Sequence, residues 1–450
     1  MRRTSNGSRY YFLLSRFATN NLTTPQGLRG IASFSVIITH LCRAWYFEAF
    51  LAADVEGAPP RLLQMPFFRV LPQGRIGVTI FGFLTGFVCA LKPLRLARGG
   101  QYDEALSSIA KSAFRRLPRL ILPSTIAMTI AWFLAQIGAF NVAHRTDQVW
   151  IREASPRPAE TMWGAIYDLW EAFRSVWTNG FMPYDDHQWA MLPLLKESML
   201  AYVGLSATIF LKYKYRTIAY VAMFCYFFQD SHELVETFYQ QLYFAIILCD
   251  FSLSPGGQAF LTKHRTPLNI MAPFLVVLGL YFASYPVDGP EWLTWSRQLL
   301  ELSHALFPEG SDVPRRYTAL GLNITVLGLF LSSGAKDILS NKYFMWLGKN
   351  SFAVYLTHGT LLRTILVWML YGISGEPFEE VRNEEGEIIG NWLPGPSTLT
   401  FCIAIPIWLV VVYTVAHLWT TYVDSYCAKL TQRLEKKVFE DGEEKGLPLV

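Results

Sequence analysis

Residues 74–93 read GRIGVTIFGFLTGFVCALKP, and this stretch decides the fold class of the chain. Between Arg75 and Lys92 every residue is uncharged, and most are apolar or small. A helix that crosses the hydrocarbon core of a bilayer needs about 20 mostly apolar residues. Glycines recur along the stretch, and small residues let membrane helices approach one another closely. The stretch therefore predicts a transmembrane helix with closely packed neighbours.

The composition of the whole chain agrees with a membrane protein. Of the 450 residues, 52% are hydrophobic and 16% are charged, and the mean hydropathy is +0.24. In a soluble domain about a quarter of the residues are charged. The net charge of +4 is small and scattered, which argues against a nucleic-acid partner. The six cysteines form no CxxC or Cys/His cluster, so we expect neither a disulfide framework nor a metal site.

The pattern of apolar segments predicts an all-α polytopic membrane protein with about ten transmembrane helices. The predicted spans lie near residues 28–50, 74–92, 118–140, 189–211, 216–230, 234–253, 267–286, 317–333, 350–373 and 398–423. We expect residues 1–425 to form a single membrane domain. Residues 426–450 would follow it as a cytoplasmic tail, either a solvated helix or a disordered end.

The distribution of basic residues predicts the orientation of these spans. Residues 92–119 hold seven Lys and Arg, and shorter basic segments lie at 212–216 and 262–265. Alternation along ten spans brings all the basic loops to one face together with both termini, and basic loops are typical of the cytoplasmic side. The long segment 141–188 and an acidic loop after residue 374 fall on the opposite face. The N- and C-termini are therefore predicted to be cytoplasmic.

The first predicted span carries two ionisable residues, Arg29 and His40. Eleven residues of α-helix complete about three turns and rise about 16.5 Å, so both side chains share one face. Ionisable residues inside a membrane are costly and indicate functional sites. Two structural explanations stay open, because an arginine at a helix end can extend to the headgroups and a buried histidine can bond to a neighbouring helix.

Four motifs in order resemble the acyltransferase-3 family of integral-membrane acyltransferases. RGIASFSVIITH (29–40) is similar to its opening signature of an arginine, ten residues and a histidine. FGFLTGF (81–87) is similar to its FFxxSGF, with threonine in place of serine. FRRLPRLILP (114–123) resembles its RRxxRxxxP element, and FAVYLTHG (352–359) its aromatic-Tyr-x-x-His element. The resemblance is greatest to the fungal branch, and it implies a ten-span bundle around a polar acyl-transfer tunnel.

The resemblance implies transfer of an acyl group from a coenzyme A thioester, on the cytoplasmic side, to a hydroxyl. A hydroxyl attacks only weakly until a base takes its proton, and neutral imidazole suits this task at neutral pH. His40 is then the candidate base. Arg29, which keeps its charge, would pair with a phosphate or polarise the thioester.

Arg115, Arg116 and Arg119 open the third predicted span on the cytoplasmic face, and they would hold the phosphates of coenzyme A. The alternative for these arginines is a basic membrane anchor with no ligand. His358 lies at a depth comparable with that of His40 and is a candidate for binding the donor. A structural role, by hydrogen bonding to another helix or to the donor, and a role in catalysis are equal alternatives for it. Arg363 is a further intramembrane charge about 140° around the same helix.

The chain departs from the family in the element that follows Trp189. The fungal form is close to WTxPxE, whereas this chain reads WAMLPLLKES from Trp189, with Leu194 and Leu195 at the expected position of the glutamate. The first acid is Glu197, which we take as the third catalytic candidate. An ion pair between Lys196 and Glu197 is the structural alternative.

The leading hypothesis is an O-acyltransferase, with acetyl-CoA as the preferred donor substrate and no tightly bound cofactor. The acceptor would be a small or lipophilic hydroxylated molecule, with a fungal secondary metabolite preferred. The other partner is the lipid bilayer, of the endoplasmic reticulum or another endomembrane in a eukaryotic host. Two alternatives stay open. One is a transporter that exports a metabolite without binding coenzyme A, and the other is an inactive or regulatory relative.

Overall fold

The computed structural model describes residues 6–229, 236–374, 379–382, 386 and 388–439. The described chain is almost entirely helical. Its α-helices are α1 (Asn6–Trp45), α2 (Val70–Gln73), α3 (Arg75–Arg98), α4 (Tyr102–Gln136), α5 (Val149–Ala154), α6 (Met162–Thr178), α7 (Met191–Thr208), α8 (Tyr213–Gln229), α9 (Glu236–Leu253), α10 (Pro255–Lys263), α11 (Arg265–Ala283), α12 (Thr294–Leu306), α13 (Val313–Leu331), α14 (Ser333–Leu339), α15 (Lys342–Leu361), α16 (Val367–Tyr371), α17 (Thr398–Trp419) and α18 (Ser425–Val438).

Short non-α segments join some of these helices. A π-helical turn, Leu362–Leu366, connects α15 to α16, and a second one, Thr420–Asp424, connects α17 to α18. An antiparallel hairpin of β1 (Glu379–Arg382) and β2 (Ile388–Trp392) precedes α17.

Several of the helices could cross a membrane by length and composition. Within the described residues there are five: Arg75–Arg98, Tyr102–Gln136, Arg265–Ala283, Lys342–Tyr371 and Thr398–Val438. Two helix pairs are bent, α9 with α10 by 79° and α13 with α14 by 100°, and the count is seven if each pair forms one span. The protein is thus an all-α, multi-pass membrane protein. Each of the ten predicted windows coincides with a helix, but ten crossings around a tunnel stay a prediction.

Two compact units make up the chain. The first contains Met1–Leu91 and Leu211–Phe352, and the second contains Lys92–Phe210 and Ala353–Val450. That residues 1–425 form a single membrane domain stays a prediction.

In the first unit the glycines of the opening stretch lie at close helix contacts, as their pattern predicted. A Cβ on Gly77 would lie 2.7 Å from the carbonyl oxygen of Ala32 in α1. A Cβ on Gly86 would lie 2.6 Å from the carbonyl oxygen of Leu242 in α9. Real Cβ atoms almost never come closer than 3.0 Å to such atoms, so only glycine permits these approaches.

The first unit also contains a buried ion pair between α8 and α9. Arg216 donates from Nε to Asp250 Oδ2 at 2.7 Å and from its terminal nitrogen to Asp250 Oδ1 at 2.9 Å. Their side chains are 5% and 2% exposed. Both oxygens of the carboxylate are engaged by one guanidinium, which is the geometry that makes burial of two charges tolerable.

In the second unit α6 packs beside α4 with one face of small residues. Trp132 of α4 donates through its indole nitrogen to the carbonyl of Ala165 at 2.8 Å. On another side of α6, Trp163, Tyr167 and Trp170 are 81%, 64% and 62% exposed. Such an unpartnered aromatic side is typical of helices at a membrane interface.

The predicted tail begins as a packed helix. Cys427 of α18 is buried, and Glu435 lies 3.6 Å from the guanidinium of Arg115 in α4. The ring of Phe439 meets Phe114 edge-on at 5.5 Å between centroids. Residues 426–439 are therefore partly packed against α4, because α18 presents an apolar side to it, whereas residues 440–450 lie outside the described residues.

Candidate functional site

The two candidates of the first predicted span, Arg29 and His40, both lie on α1 in the first unit. The helix is continuous from Asn6 to Trp45, so the eleven-residue spacing gives the shared face expected of an α-helix. Both side chains are partly exposed. The helix ends five residues before the predicted window does, and Phe47–Phe50 form a 3₁₀ turn.

A buried pair that the sequence analysis did not identify lies in the second unit. His187 Nδ1 is 2.6 Å from Asp185 Oδ1, and the two side chains are 1% and 0% exposed. Asp185 has an extended backbone and precedes a 3₁₀ turn over Asp186–Ala190. This tight turn brings the imidazole back onto the carboxylate two residues earlier. Asp186 Oδ1 lies 3.3 Å from the same ring nitrogen, with a partly solvated side chain.

Arg363 bonds to the same oxygen of the Asp185 carboxylate as His187 does. Its terminal nitrogen donates to Asp185 Oδ1 at 3.0 Å and to the carbonyl of Tyr184 at 3.1 Å. Its Nε donates to the carbonyl of Gly359 at 3.2 Å, and its remaining nitrogen donates to the carbonyl of Ala154. The guanidinium is fully buried and bonds to four separate groups. It therefore fixes the position of Asp185 as well as balancing its charge.

His358, a candidate of the sequence analysis, lies beside this pair. Its ring centroid is 4.9 Å from that of His187, with 56° between the ring planes. Its Nδ1 lies 2.9 Å from the carbonyl of Val354 and 3.0 Å from that of Tyr355. A carbonyl accepts only, so Nδ1 carries the hydrogen and Nε2 is the basic nitrogen of the neutral ring. Tyr355 donates its hydroxyl to the backbone carbonyl of His187.

Gly359 makes room for the cluster on α15. A Cβ at this position would fall on Asp185 Oδ1 and on His187 Nδ1. The absence of a side chain explains how Arg363 reaches Asp185 although it was expected about 140° around the helix from His358. The guanidinium of Arg363 bonds to the carbonyl of Gly359 and to Asp185 Oδ1, so Arg363 and His358 both border the Asp185–His187 pair.

The electrostatics of the cluster favour a charged Asp185, which lies in the connection before α7. Burial alone would raise the pKa of this carboxyl group. The His187 imidazole and the Arg363 guanidinium outweigh burial and hold the pKa at about 2. Asp185 is therefore a carboxylate at neutral pH.

The remaining candidates lie on α4 and α7 of the second unit. Arg116 donates from Nε to Ser198 Oγ at 2.8 Å, and Ser198 follows the fully buried Glu197 on α7. Arg115 is directed to Glu435, and Arg119 is exposed. The structure thus brings Arg116 next to the α7 segment that carries Glu197, and it brings His358 to the Asp185–His187 pair.

Asp185, Asp186 and His187 could in principle offer three metal ligands within 4.8 Å of one another. The guanidinium of Arg363 lies against the inner carboxylate, where it would repel a cation. This donor set is therefore poorly suited to a metal ion, and the expectation of a metal-free site stays a prediction.

Comparison with known proteins places the chain in a class. Residues 24–423 match the acyltransferase family Acyl_transf_3, described as an acyltransferase domain. The chain belongs to this family, because the match covers most of its length. No solved structure matches the chain.

Three relatives, all fungal, are similar to this chain. The O-acetyltransferase PaAT-1 of Phomopsis amygdali is 25% identical over 75% of this chain and 72% of its own. The acyltransferase R4 of a Phoma species is 22% identical over 83% of each chain. The acyltransferase clz18 of Cochliobolus lunatus is 22% identical over 75% of this chain and 81% of its own. The resemblance to the fungal branch of the family is confirmed.

Proposed function

We propose that this protein is a membrane O-acyltransferase that moves an acyl group, with acetyl preferred, from a coenzyme A thioester to a hydroxyl. The observation that carries the proposal is the family match over residues 24–423, which includes all four motifs. A relative named as an O-acetyltransferase supports the acetyl group and the hydroxyl acceptor. The donor and the acceptor are expectations to be tested.

The proposed chemistry begins at α1. His40 would take the proton of the acceptor hydroxyl as the new C–O bond forms, and Arg29 would stabilise the donor end. The continuity of α1 supports this pairing, since both side chains leave the helix on one side. As the C–S bond breaks, the coenzyme A sulfur leaves with the electron pair and takes up a proton. The products are an ester and free coenzyme A.

The proposed donor contacts belong to the second unit. Arg115, Arg116 and Arg119 would bind the phosphates of coenzyme A, and His358 would contact the thioester end. Arg116 already has its guanidinium held by Ser198, which lowers the entropy lost when a phosphate binds. Glu197, one residue before Ser198, would complete the site as the acid that replaces the missing glutamate of the family's element.

The acceptor is proposed to be a small or lipophilic fungal secondary metabolite with a free hydroxyl. Ten spans around a tunnel, cytoplasmic termini and an endomembrane location complete the proposal. The basic loops on one face support the orientation.

The proposal is tested by untargeted mass spectrometry of three host strains. These are the wild type, a strain without the protein, and a strain with His40→Ala at matched membrane abundance. We expect one acylated product to vanish in both altered strains while its unacylated precursor accumulates. If deletion only moves an unmodified compound between cells and medium, the protein is a transporter and the proposal is wrong.

A further inference from the structure

We propose that the buried Asp185–His187 pair is the proton donor to the departing coenzyme A sulfur, with His187 catalytic and Asp185 and Arg363 as positioning residues. The inference rests on the proposed acyl transfer and deepens it. It assigns a role to a buried pair of residues that none of the sequence motifs includes.

Hydrogen bonds hold the His187 ring in one orientation. A proton donor must keep one orientation throughout the reaction, and Asp185 fixes the His187 ring through Nδ1 at 2.6 Å. The proton that reaches a substrate is then the one on Nε2. Asp185 is held in turn by Arg363, and the His187 backbone by the Tyr355 hydroxyl. An imidazole oriented by a carboxylate, which a third group orients, is the arrangement that proton transfer in acyl-transfer enzymes uses.

The charges around His187 suit a proton donor. Asp185 and Asp186 place two formal negative charges within 3.3 Å of His187 Nδ1, and Arg363 contributes one positive charge. These three partners together carry one net negative charge, and a buried positive charge is tolerated only when it is paired. A ring that carries a proton on both nitrogens at the moment of transfer would be paired in this way and could give the proton on Nε2.

The buried ion pair of Arg216 and Asp250 differs from the Asp185 cluster in how the carboxylate is engaged. Arg216 donates to both oxygens of Asp250, so one guanidinium engages the whole carboxylate. At Asp185 the guanidinium and the imidazole share one oxygen, Oδ1, and among the described residues the second oxygen has a 3.5 Å contact with Gln188 Nε2. The Asp185 arrangement thus places the His187 ring beside His358, in the unit that also carries Arg115, Arg116 and Arg119.

In the proposed step the acceptor hydroxyl gives its proton to His40 while its oxygen forms a bond to the thioester carbon, the C–S bond breaks, and the sulfur keeps its electron pair. The thiolate takes the Nε2 proton of His187, which leaves neutral imidazole and free coenzyme A. A thiolate that is not neutralised would be costly in a site shielded from water, so this proton transfer lowers the barrier. After the products leave, His40 releases its proton to solvent and His187 takes one up from solvent, so the turnover consumes and releases no net proton.

The test uses the full-length protein purified in detergent, with radiolabelled acetyl-CoA and an organic extract of the deletion strain as acceptor source. We expect His187→Gln to lower kcat by about 100-fold and to change the KM for acetyl-CoA by less than about threefold, because general acid–base groups act mainly in the transition state. Asp185→Asn, which keeps the shape, should lower kcat in the same way. Added imidazole should restore part of the kcat of His187→Ala.

The matched control is His144→Gln. His144 also lies in the second unit and is partly buried, and its Nε2 lies 3.2 Å from the carbonyl oxygen of Pro156. The inference is overturned if His187→Gln and His144→Gln have equal kcat, or if Asp185→Asn retains full kcat. If His187→Gln does not reach the membrane, Asp185→Asn and the imidazole rescue decide. Absence of label transfer by the wild-type protein would overturn the proposed function, and the inference with it.

Discussion

Replacing Gly359 with alanine should disable acyl transfer while α15 stays folded. An ideal Cβ here would fall on His187 Nδ1 and Asp185 Oδ1 and would lie 2.7 Å from His187 Cε1. Ordinary van der Waals contact begins at 3.4 Å, so the imidazole must retreat by at least 0.7 Å, the difference between these distances. If it retreats from Asp185, their 2.6 Å hydrogen bond lengthens to about 3.3 Å. A bond of that length no longer fixes the ring.

The expected loss of activity follows from this displacement. A misplacement of about 1 Å near reacting groups costs roughly 100-fold in rate, so we expect kcat to fall by about 30- to 100-fold. Overpacking costs about 1–3 kcal/mol of stability, whereas alanine in place of glycine stabilises a helix by about 1 kcal/mol. The net destabilisation should therefore stay below about 2 kcal/mol.

The assay is label transfer from radiolabelled acetyl-CoA, with thermal unfolding of the same detergent-purified sample. Gly256→Ala is the matched control, because Gly256 also lies in a helix and a Cβ there would meet nothing within 4 Å. A folded Gly359→Ala protein with the kcat of the control would refute the argument that this cluster takes part in catalysis.

Three further predictions concern other parts of the molecule. Asp250→Asn should destabilise the protein by about 3–5 kcal/mol in thermal unfolding, because it leaves the buried charge of Arg216 uncompensated; an unchanged melting temperature would contradict this. Arg116→Ala should raise the KM for acetyl-CoA by about tenfold with little change in kcat, since a phosphate contact contributes uniform binding; an unaltered KM would argue for a purely structural arginine. A spin label at Tyr167 in bilayer nanodiscs should collide more often with oxygen than with a water-soluble nickel chelate, and a label at Asp168 should show the reverse; equal accessibility at both would place α6 in water.

Much of the fold could be predicted from the sequence because apolar length and glycine spacing are local signals. The windows near residues 74–92 and 350–373 coincide with α3 and with α15 to α16. The third window, 118–140, was given for a membrane span, and the helix that contains most of it, α4, starts earlier, at Tyr102, with Asp103 and Glu104 in its first turn. These acids favour a helix start but do not favour a membrane span. The helix α6 was not predicted, because Asp168, Glu171 and Arg174 interrupt its apolar residues.

Less of the candidate site than of the fold could be predicted from the sequence. His358 was identified through a motif, and the structure places it in a cluster of buried polar groups. Asp185 and His187 were not identified, although an aspartate two residues before a histidine at the end of a long loop is a visible signal. Their pairing depends on a 3₁₀ turn and on Arg363, which is 178 residues further along the chain. Neither the turn nor the long-range contact can be derived from spacing.

The π-helical turn Leu362–Leu366 decides which side of its helix the later residues occupy. Arg363 before the end of the turn bonds to Asp185, and Tyr371 after it donates to Asp147 Oδ1 at 2.5 Å. Eight residues of uninterrupted α-helix would separate these two side chains by about 80°, and a turn that absorbs one residue reduces the angle to about 20°. Deleting one residue between Arg363 and Tyr371 would leave seven steps of regular α-helix, which give the same angle of about 20°. A relative that is one residue shorter here and has no π-helical turn would therefore keep both side chains on the same side of the helix, so an alignment of chains should allow a one-residue gap in this turn.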